Sequence, residues 1–128
     1  MLTNIKERQV SEFMTTDVIT IPESEPLCNF ENYFNNRSIH HIIIENKDGE
    51  ASGIISKIDV AKIRSWIVDE KIEAKHIMSS DIITLKPTDL VKDALVIFLK
   101  NEIRALPVID DKEKSIGIIT PYDILKAL

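Results

Sequence analysis

Short β-branched runs alternate along the chain with stretches whose apolar residues recur at helical spacing. In the first such stretch Leu27, Phe30 and Phe34 share one face, which predicts a helix over residues 26–36. The pattern predicts further helices over residues 59–68, 88–98 and from 121 onward. The predicted strands are residues 18–21, 41–44, 51–56, 82–85, 105–109 and 115–120. Each half therefore has the order β-α-β-β-α, which predicts an α/β (α+β) fold.

The residues that punctuate these elements predict caps and turns. Ser24 is the expected N-cap of the first helix, with Pro26 in its first turn, and Thr88 or Asp89 is the expected cap of the third. Pro121 opens the last helix, where its missing N–H costs nothing. Residues 46–49 and 110–113 have the composition of hairpin turns, and short helices are expected around residues 10–14 and 74–78.

The two halves are copies of one unit. Residues 10–64 align without a gap to residues 74–128 at an offset of 64, and 11 of the 55 pairs are identical. Unrelated sequences of average composition would match at about one position in sixteen. The chain is therefore predicted to be an internal duplication, with one repeat over residues 7–64, a linker over 65–73 and a second repeat over 74–128.

Composition narrows the classes of function. The net charge is −5 and the 16 basic residues are scattered, which disfavours nucleic acid as a partner. No apolar run approaches the length of about 20 residues that spans a membrane. The single cysteine, Cys28, has no partner for an internal disulfide, and we expect a cytoplasmic protein.

A strand end followed by a helix start carries the candidate chemistry in each repeat. Gly-Ile-Ile-Ser/Thr is followed three residues later by an aspartate, as Ser56 and Asp59 in one repeat and Thr120 and Asp123 in the other. The hydroxyl and the unpaired amides of the first helical turn suit a phosphate, and the carboxylate suits a vicinal diol such as ribose. The same spacing is also that of a plain capping box, so both interpretations stay open here.

No catalytic or metal site is predicted. His40 and His41 are adjacent on a strand and face opposite sides, while His76 and Cys28 are distant in sequence. The aspartates lie in helix-start motifs that explain them without acid–base chemistry.

The ordered set of motifs, present twice, resembles that of tandem CBS-domain proteins, named for the domain of cystathionine β-synthase. The residues that carry the resemblance, which covers about residues 7–128, are Met14–Ile21 with Met78–Leu85, Arg104–Asp110 and Gly117–Asp123. The resemblance implies two repeats that pack through their sheets as a pseudo-two-fold pair, a Bateman module. It also implies two crevices between them that hold AMP, ADP, ATP or S-adenosylmethionine.

The resemblance assigns ligand-binding roles to specific positions of the second repeat. Asp123 would bind the ribose hydroxyls, and Thr120, beside Pro121, would bind the phosphate. Arg104 would reach a phosphate or stack on the ring. The positions that would line the adenine are Ile83, Thr84, Ala105, Leu106 and Pro107.

The first repeat matches this pattern only in part. Asp59, Ser56 and Thr20 occupy the ribose, phosphate and adenine positions, and Lys57 adds a cation that the second repeat lacks. His41 stands where the second repeat has Ala105, and it is expected to close the adenine slot. These departures favour the second repeat as the occupied one.

The sequence therefore predicts a regulatory module, not an enzyme, that senses an adenine nucleotide without a catalytic cofactor. We expect a homodimer formed through helices and a protein partner that is regulated in trans. The alternative is a ligand-free scaffold for dimerisation or partner binding. Nucleic-acid or polyphosphate binding is a third hypothesis that the acidic balance weakens.

Overall fold

The computed structural model describes residues 2–35, 39–64 and 71–128 and divides into two compact units. One unit, the continuous unit, consists of Ile19–Ile82. The other, the split unit, consists of the residues up to Val18 together with Ile83–Leu128. Helices and strands are mixed in the chain, which confirms the predicted α+β class. The predicted helix over 59–68 and the linker over 65–73 extend into residues 65–70, which lie outside the described residues, as do residues 36–38 at the end of the first predicted helix.

The continuous unit is built on a three-stranded sheet in the order β1-β2-β3. Its elements are β1 (Thr20–Pro22), α1 (Phe30–Asn35), β2 (His41–Glu45), β3 (Ala51–Ser56), α2 (Lys57–Arg64) and α3 (Ala74–Ile77). Strand β2 runs parallel to β1 and antiparallel to β3. One face of the sheet is buried against the helices, in a core formed by Ile21, Leu27, Phe30, Phe34, Ile42, Ile44, Ile55, Val60 and Ala74.

The split unit has the smaller sheet. Its elements are α4 (Val91–Lys100), β4 (Leu106–Ile109), β5 (Ser115–Ile119) and α5 (Pro121–Leu125), with three-ten turns at Leu2–Glu7 and Val10–Glu12. Strands β4 and β5 form an antiparallel pair. The core consists of Val10, Leu85, Val91, Ala94, Leu106, Val108, Ile119 and Ile124.

The two hairpins show the duplication at the level of single hydrogen bonds. In the first, the Asn46 side-chain oxygen accepts the N–H groups of Asp48 (2.9 Å) and Glu50 (3.0 Å). In the second, Asp110 accepts those of Lys112 (2.8 Å) and Lys114 (3.0 Å). Gly49 and its counterpart Glu113 both have positive φ, 78° and 62°. Both predicted turns are confirmed, and their side chains satisfy the amides that the turn leaves unpaired.

Several predicted caps and one strand are wrong. The N-cap of the first helical segment is Pro26, not Ser24, and that of α4 is Leu90, not Thr88 or Asp89. The carboxylate of Asp89 instead accepts the N–H of Lys86 at 2.7 Å. Residues 82–85 contribute a single parallel bridge, between Leu85 and Val108. The predicted strand there is therefore absent from the described residues.

Each unit takes its first segment from the other repeat of the sequence. Thr15 and Ile118 exchange backbone hydrogen bonds of 2.8 and 2.9 Å in the split unit, and Ser79 and Ile54 do the same at 3.0 and 3.1 Å in the continuous unit. The predicted boundaries of 7–64 and 74–128 are boundaries of the duplicated sequence. The compact units do not follow these boundaries. Residues up to Val18 of the first repeat belong to the split unit, and residues 74–82 of the second repeat belong to the continuous unit.

Glycine leaves room for the exchanged segments where they dock. A Cβ at Gly117 would lie 2.6 Å from the Met14 sulfur and 3.1 Å from the Thr15 carbonyl oxygen. A Cβ at Gly53 would lie 2.8 Å from Met78 Cγ and 3.0 Å from the Ser79 carbonyl oxygen, with the Met78 sulfur closer still. The repeated glycine therefore admits a methionine from the opposite repeat.

Candidate functional site

The strand-end motif of the split unit is a complete capping box. Thr120 is the N-cap of α5, and its hydroxyl oxygen accepts the N–H of Asp123 at 3.3 Å. In return, Asp123 Oδ2 accepts the N–H of Thr120 at 3.0 Å. Pro121 occupies the first helical turn, as predicted. The capping interpretation is therefore confirmed for this copy, with aspartate in the position where glutamate is usual.

Asp123 is also buried within a network that the sequence did not reveal. Its side chain is 3% exposed. The hydroxyl of Thr15 donates to Asp123 Oδ1 at 3.0 Å, and the ammonium of Lys126 lies 3.3 Å from the same oxygen. Thr15 belongs to the exchanged segment, 108 residues away along the chain. Every oxygen of this carboxylate therefore already has a partner inside the unit.

The matching motif of the continuous unit is more open. Ser56 ends β3, α2 begins at Lys57, and the N–H of Asp59 donates to the Ser56 hydroxyl oxygen at 3.0 Å. Asp59 is exposed. Among residues 2–35, 39–64 and 71–128, no hydrogen bond or ion pair to its carboxylate is found. In this copy the Ser56 hydroxyl caps the helix, and the Asp59 carboxylate is exposed to solvent.

The expected anion site of free helix-start amides is only partly present. The N–H of Lys57 donates to the His40 carbonyl at 2.9 Å, and that of Asp59 is used by Ser56. In the split unit Pro121 has no N–H, and that of Asp123 is used by Thr120. The first helical turn of each motif therefore offers an anion fewer free N–H groups than the sequence predicted.

His41 lies beside the motif of the continuous unit. It is half-buried, and its Cα is paired with that of Ser56 across β2 and β3. Burial, together with the charge of neighbouring His40, lowers the pKa of His41 below its ordinary value, and the Asp59 carboxylate opposes this shift. The imidazole is therefore neutral near pH 7, and Asp59 is the acidic group that acts on it.

Protonation of His41 is expected to destabilise the fold. Because its pKa is lower in the folded chain, the unfolded chain binds this proton first as the pH falls. The stability due to the neutral imidazole is complete above the ordinary histidine pKa and is lost between that value and the lowered one. Urea unfolding at pH 7.5 and 5.5 should show a smaller loss of stability on acidification for His41→Gln than for the unmodified protein. His40→Gln removes only the smaller of the two causes that lower this pKa, so it should lose nearly as much stability as the unmodified protein, and equal losses in all three proteins would contradict the assignment.

The structure brings the remaining predicted residues to the same strand ends, with different exposure. Thr20 is exposed and is the parallel partner of Ile43, which is 1% exposed. In the split unit the N–H of Leu85 donates to the Pro107 carbonyl at 3.0 Å, and Ile83 and Thr84 directly precede Leu85. Both are half-buried.

The other predicted positions of the split unit contribute unequally. Leu106 has its side chain in the hydrophobic core, so only its backbone is left to line a site. Ala105 and Pro107 are buried outside that core cluster, and Arg104 is exposed. The sequence did not identify Thr15 and Lys126 as contacts of the motif. For Lys126 a signal was available, because the equivalent residue of the first repeat, Lys62, is also a lysine.

The described residues contain neither a metal cluster nor a spanning helix. No group of three or more histidine, cysteine, aspartate or glutamate side chains is placed to hold a metal ion within the described ranges. None of the helices described there has the length and apolar character needed to cross a membrane.

Comparison with known proteins identifies the duplicated unit. A family model described as the CBS domain matches residues 10–65 and again residues 74–128. Inosine-5'-monophosphate dehydrogenase of Methanocaldococcus jannaschii is 29% identical over 119 residues, which is 93% of this chain and 23% of that protein. The uncharacterised protein MK0525 of Methanopyrus kandleri is 34% identical over 119 residues, which is 91% of this chain and 61% of that protein. The chain thus spans less than two thirds of either relative.

Solved structures share the fold over nearly the whole chain. The CBS domain pair of protein MJ0100, in complex with 5′-methylthioadenosine and S-adenosyl-L-methionine, superposes with a TM-score of 0.82 at 25% identity and covers 93% of this chain and 94% of that one. CBSX2 in complex with AMP superposes with a TM-score of 0.79 at 19% identity, covering 94% and 95% of the two chains. The second likeness concerns the fold alone.

Proposed function

We propose that this chain, which belongs to the CBS domain family, is a regulatory module that binds an adenine nucleotide or a related adenosyl ligand and signals to a protein partner. The MJ0100 domain pair binds 5′-methylthioadenosine and S-adenosyl-L-methionine. This similarity supports an adenosyl compound as the ligand of this chain. AMP, ADP and ATP are the nucleotides that the family resemblance adds.

The observation that carries the proposal is the hydroxyl–carboxylate pair at the strand end of each unit. In both copies the aspartate N–H donates to the hydroxyl three residues earlier, at 3.0 Å in one and 3.3 Å in the other. This bond fixes the backbone of the aspartate in the first helical turn, beside the end of the strand. A carboxylate held there accepts two hydrogen bonds from the adjacent hydroxyls of a ribose, and neither base nor phosphate is needed for that contact.

Side chains of the continuous unit supply the remaining contacts. Lys57 is exposed and lies between Ser56 and Asp59 in the motif. Its ammonium suits a phosphate, which it meets as a point charge. Thr20 begins β1, which pairs with β2, and its hydroxyl is the polar group that we assign to the base.

A regulatory output requires the ligand to prefer one arrangement of the protein over another. We propose that this arrangement is read by a partner, with the module as a homodimer. Exposed apolar side chains on two helices of the split unit support a helical contact surface; they are Val96 and Leu99 on α4 and Tyr122 and Leu125 on α5. Leu99, at 85%, is the most exposed of the four.

Thermal unfolding with a ligand panel tests the proposal. We expect AMP, ADP, ATP, S-adenosylmethionine or 5′-methylthioadenosine, but not GTP, to raise the melting temperature. A ligand at about 100 times its Kd stabilises by roughly 2.7 kcal/mol, or several degrees for a chain of this size. Sedimentation velocity on the same samples gives the mass, which should be that of two chains.

The controls for this panel are the isosteric Asp59→Asn and Asp123→Asn, which remove a charge and keep the side-chain volume. Loss of the shift in either variant places the ligand at a motif. The absence of a shift with every compound at millimolar concentration would contradict ligand binding.

A dimerisation or interaction scaffold without ligand is the second candidate. The saturated network around Asp123 favours it, because that carboxylate is already occupied without any ligand. A two-chain mass together with no thermal shift would support this alternative.

A further inference from the structure

The two copies of the motif differ in how available their aspartates are. Asp123 is 3% exposed, whereas Asp59, 64 positions earlier, is exposed. Both aspartates lie in the first turn of a helix after the same Gly-Ile-Ile sequence, but the side chains that contact them differ.

Thr15 is the group that completes the enclosure of Asp123. Its hydroxyl donates to Oδ1 at 3.0 Å, and its backbone is fixed by two hydrogen bonds to Ile118, of 2.8 and 2.9 Å. A ribose diol that approaches Oδ1 must take the place of this hydroxyl and of the Lys126 ammonium. Displacing a hydrogen bond to a charged group costs about 1.5–3 kcal/mol, which reduces the affinity by about tenfold or more.

The matching contact does not form in the continuous unit. Ser79 occupies the position of Thr15 and has the same two backbone hydrogen bonds, to Ile54, at 3.0 and 3.1 Å. Its side chain is exposed, and within the described residues no hydrogen bond joins its hydroxyl to Asp59. Within the described residues, a diol that approaches the Asp59 carboxylate therefore has no hydrogen bond from a protein side chain to displace.

We infer that the two copies of the motif bind ligand with unequal affinity. The continuous unit binds the adenosyl ligand first, with Asp59 as the ribose acceptor. In the split unit the hydroxyl of Thr15 occupies the Asp123 carboxylate and weakens ligand binding there. This inference rests on the proposed function. It reverses the preference for the second repeat that the sequence suggested.

Two methionines report separately on the two copies. Met78 packs against Gly53 in the continuous unit and Met14 packs against Gly117 in the split unit. In protein labelled with ¹³C at the methionine methyl groups, each resonance is assigned by a Met→Leu variant. Titration with AMP, and separately with S-adenosylmethionine, then gives a binding curve for each unit.

We expect the Met78 methyl resonance to saturate at a ligand concentration about tenfold below that of Met14. Asp59→Asn should abolish the Met78 change and leave that of Met14. Thr15→Val should tighten the Met14 curve by about tenfold without moving that of Met78. Thr15→Ser, which keeps a hydroxyl, should behave like the unmodified protein, and Ser79→Ala, at the matched position, should change neither curve.

Three results would overturn the inference. The first is a Met14 curve that saturates before that of Met78, and the second is a Met14 curve that does not tighten in a folded Thr15→Val protein. In both cases the ligand binds and the proposed function stands. The third is no change at either methyl with AMP or S-adenosylmethionine at millimolar concentration, which contradicts the proposed function and this inference together.

Discussion

Replacing Gly117 with alanine is expected to lower the free energy of unfolding by about 1–3 kcal/mol. The new Cβ would lie 2.6 Å from the Met14 sulfur and 3.1 Å from the Thr15 carbonyl oxygen. The sulfur can move, because methionine is flexible, but the carbonyl is fixed by its hydrogen bond from the Ile118 N–H at 2.9 Å. The strain is therefore relieved only in part by rotation of the side chain.

A double-mutant cycle shows which methionine meets this glycine. Truncation with Met14→Ala should offset part of the cost of Gly117→Ala, and Met78→Ala should not. The reverse holds for Gly53→Ala, whose strain should be relieved by Met78→Ala. Urea unfolding of the single and double variants measures the coupling. Coupling between Gly117 and Met78 would contradict the exchange of segments between the repeats.

Asp123→Ala is expected to cost about 2–4 kcal/mol of stability, and Asp59→Ala less than about 1 kcal/mol. Removing the buried carboxylate leaves the Thr120 N–H and the Thr15 hydroxyl without acceptors and the Lys126 ammonium without its ion pair. Removing Asp59 exposes nothing that was buried, and the hydroxyl of Ser56 still caps α2. Urea unfolding of the two variants side by side measures the difference.

Equal costs for the two variants would contradict the burial difference between the copies. The expected inequality also affects the choice of ligand controls. A thermal shift that disappears in Asp123→Ala would combine lost binding with lost folding, whereas asparagine keeps the side-chain volume and one acceptor oxygen. Asp59 is the aspartate at which a loss of binding can be separated from a loss of stability.

Much of the fold follows from local patterns in the sequence. The apolar run at residues 41–44 becomes β2, and the Asn46–Gly49 and Asp110–Glu113 turns form as their composition predicts. The capping box of Thr120 and Asp123 also follows from spacing alone, because both of its hydrogen bonds lie within four residues. Hydrogen bonds of this kind can be predicted from the sequence, because donor and acceptor lie within a few residues of each other.

Three features depend on contacts between distant residues and could not be predicted. Methionine and glycine recur at the same offset in both repeats, so the sequence is equally compatible with Met14 on Gly53 and with Met14 on Gly117. The burial of Asp123 depends on Thr15, which lies 108 residues away. Residues 82–84 are β-branched, yet the segment pairs only at the following Leu85, because strand formation depends on pairing with distant residues and not on propensity alone.

The most direct test of the account is isothermal titration calorimetry of the unmodified protein with AMP, ATP and S-adenosylmethionine, with GMP as the control. The account predicts saturable heat with at least one adenosine compound at a Kd below about 1 mM, and no saturable heat with GMP. It also predicts two events of unequal affinity, of which Asp59→Asn removes the tighter. The absence of saturable binding for all three compounds would contradict the assignment of this chain as a ligand-sensing module.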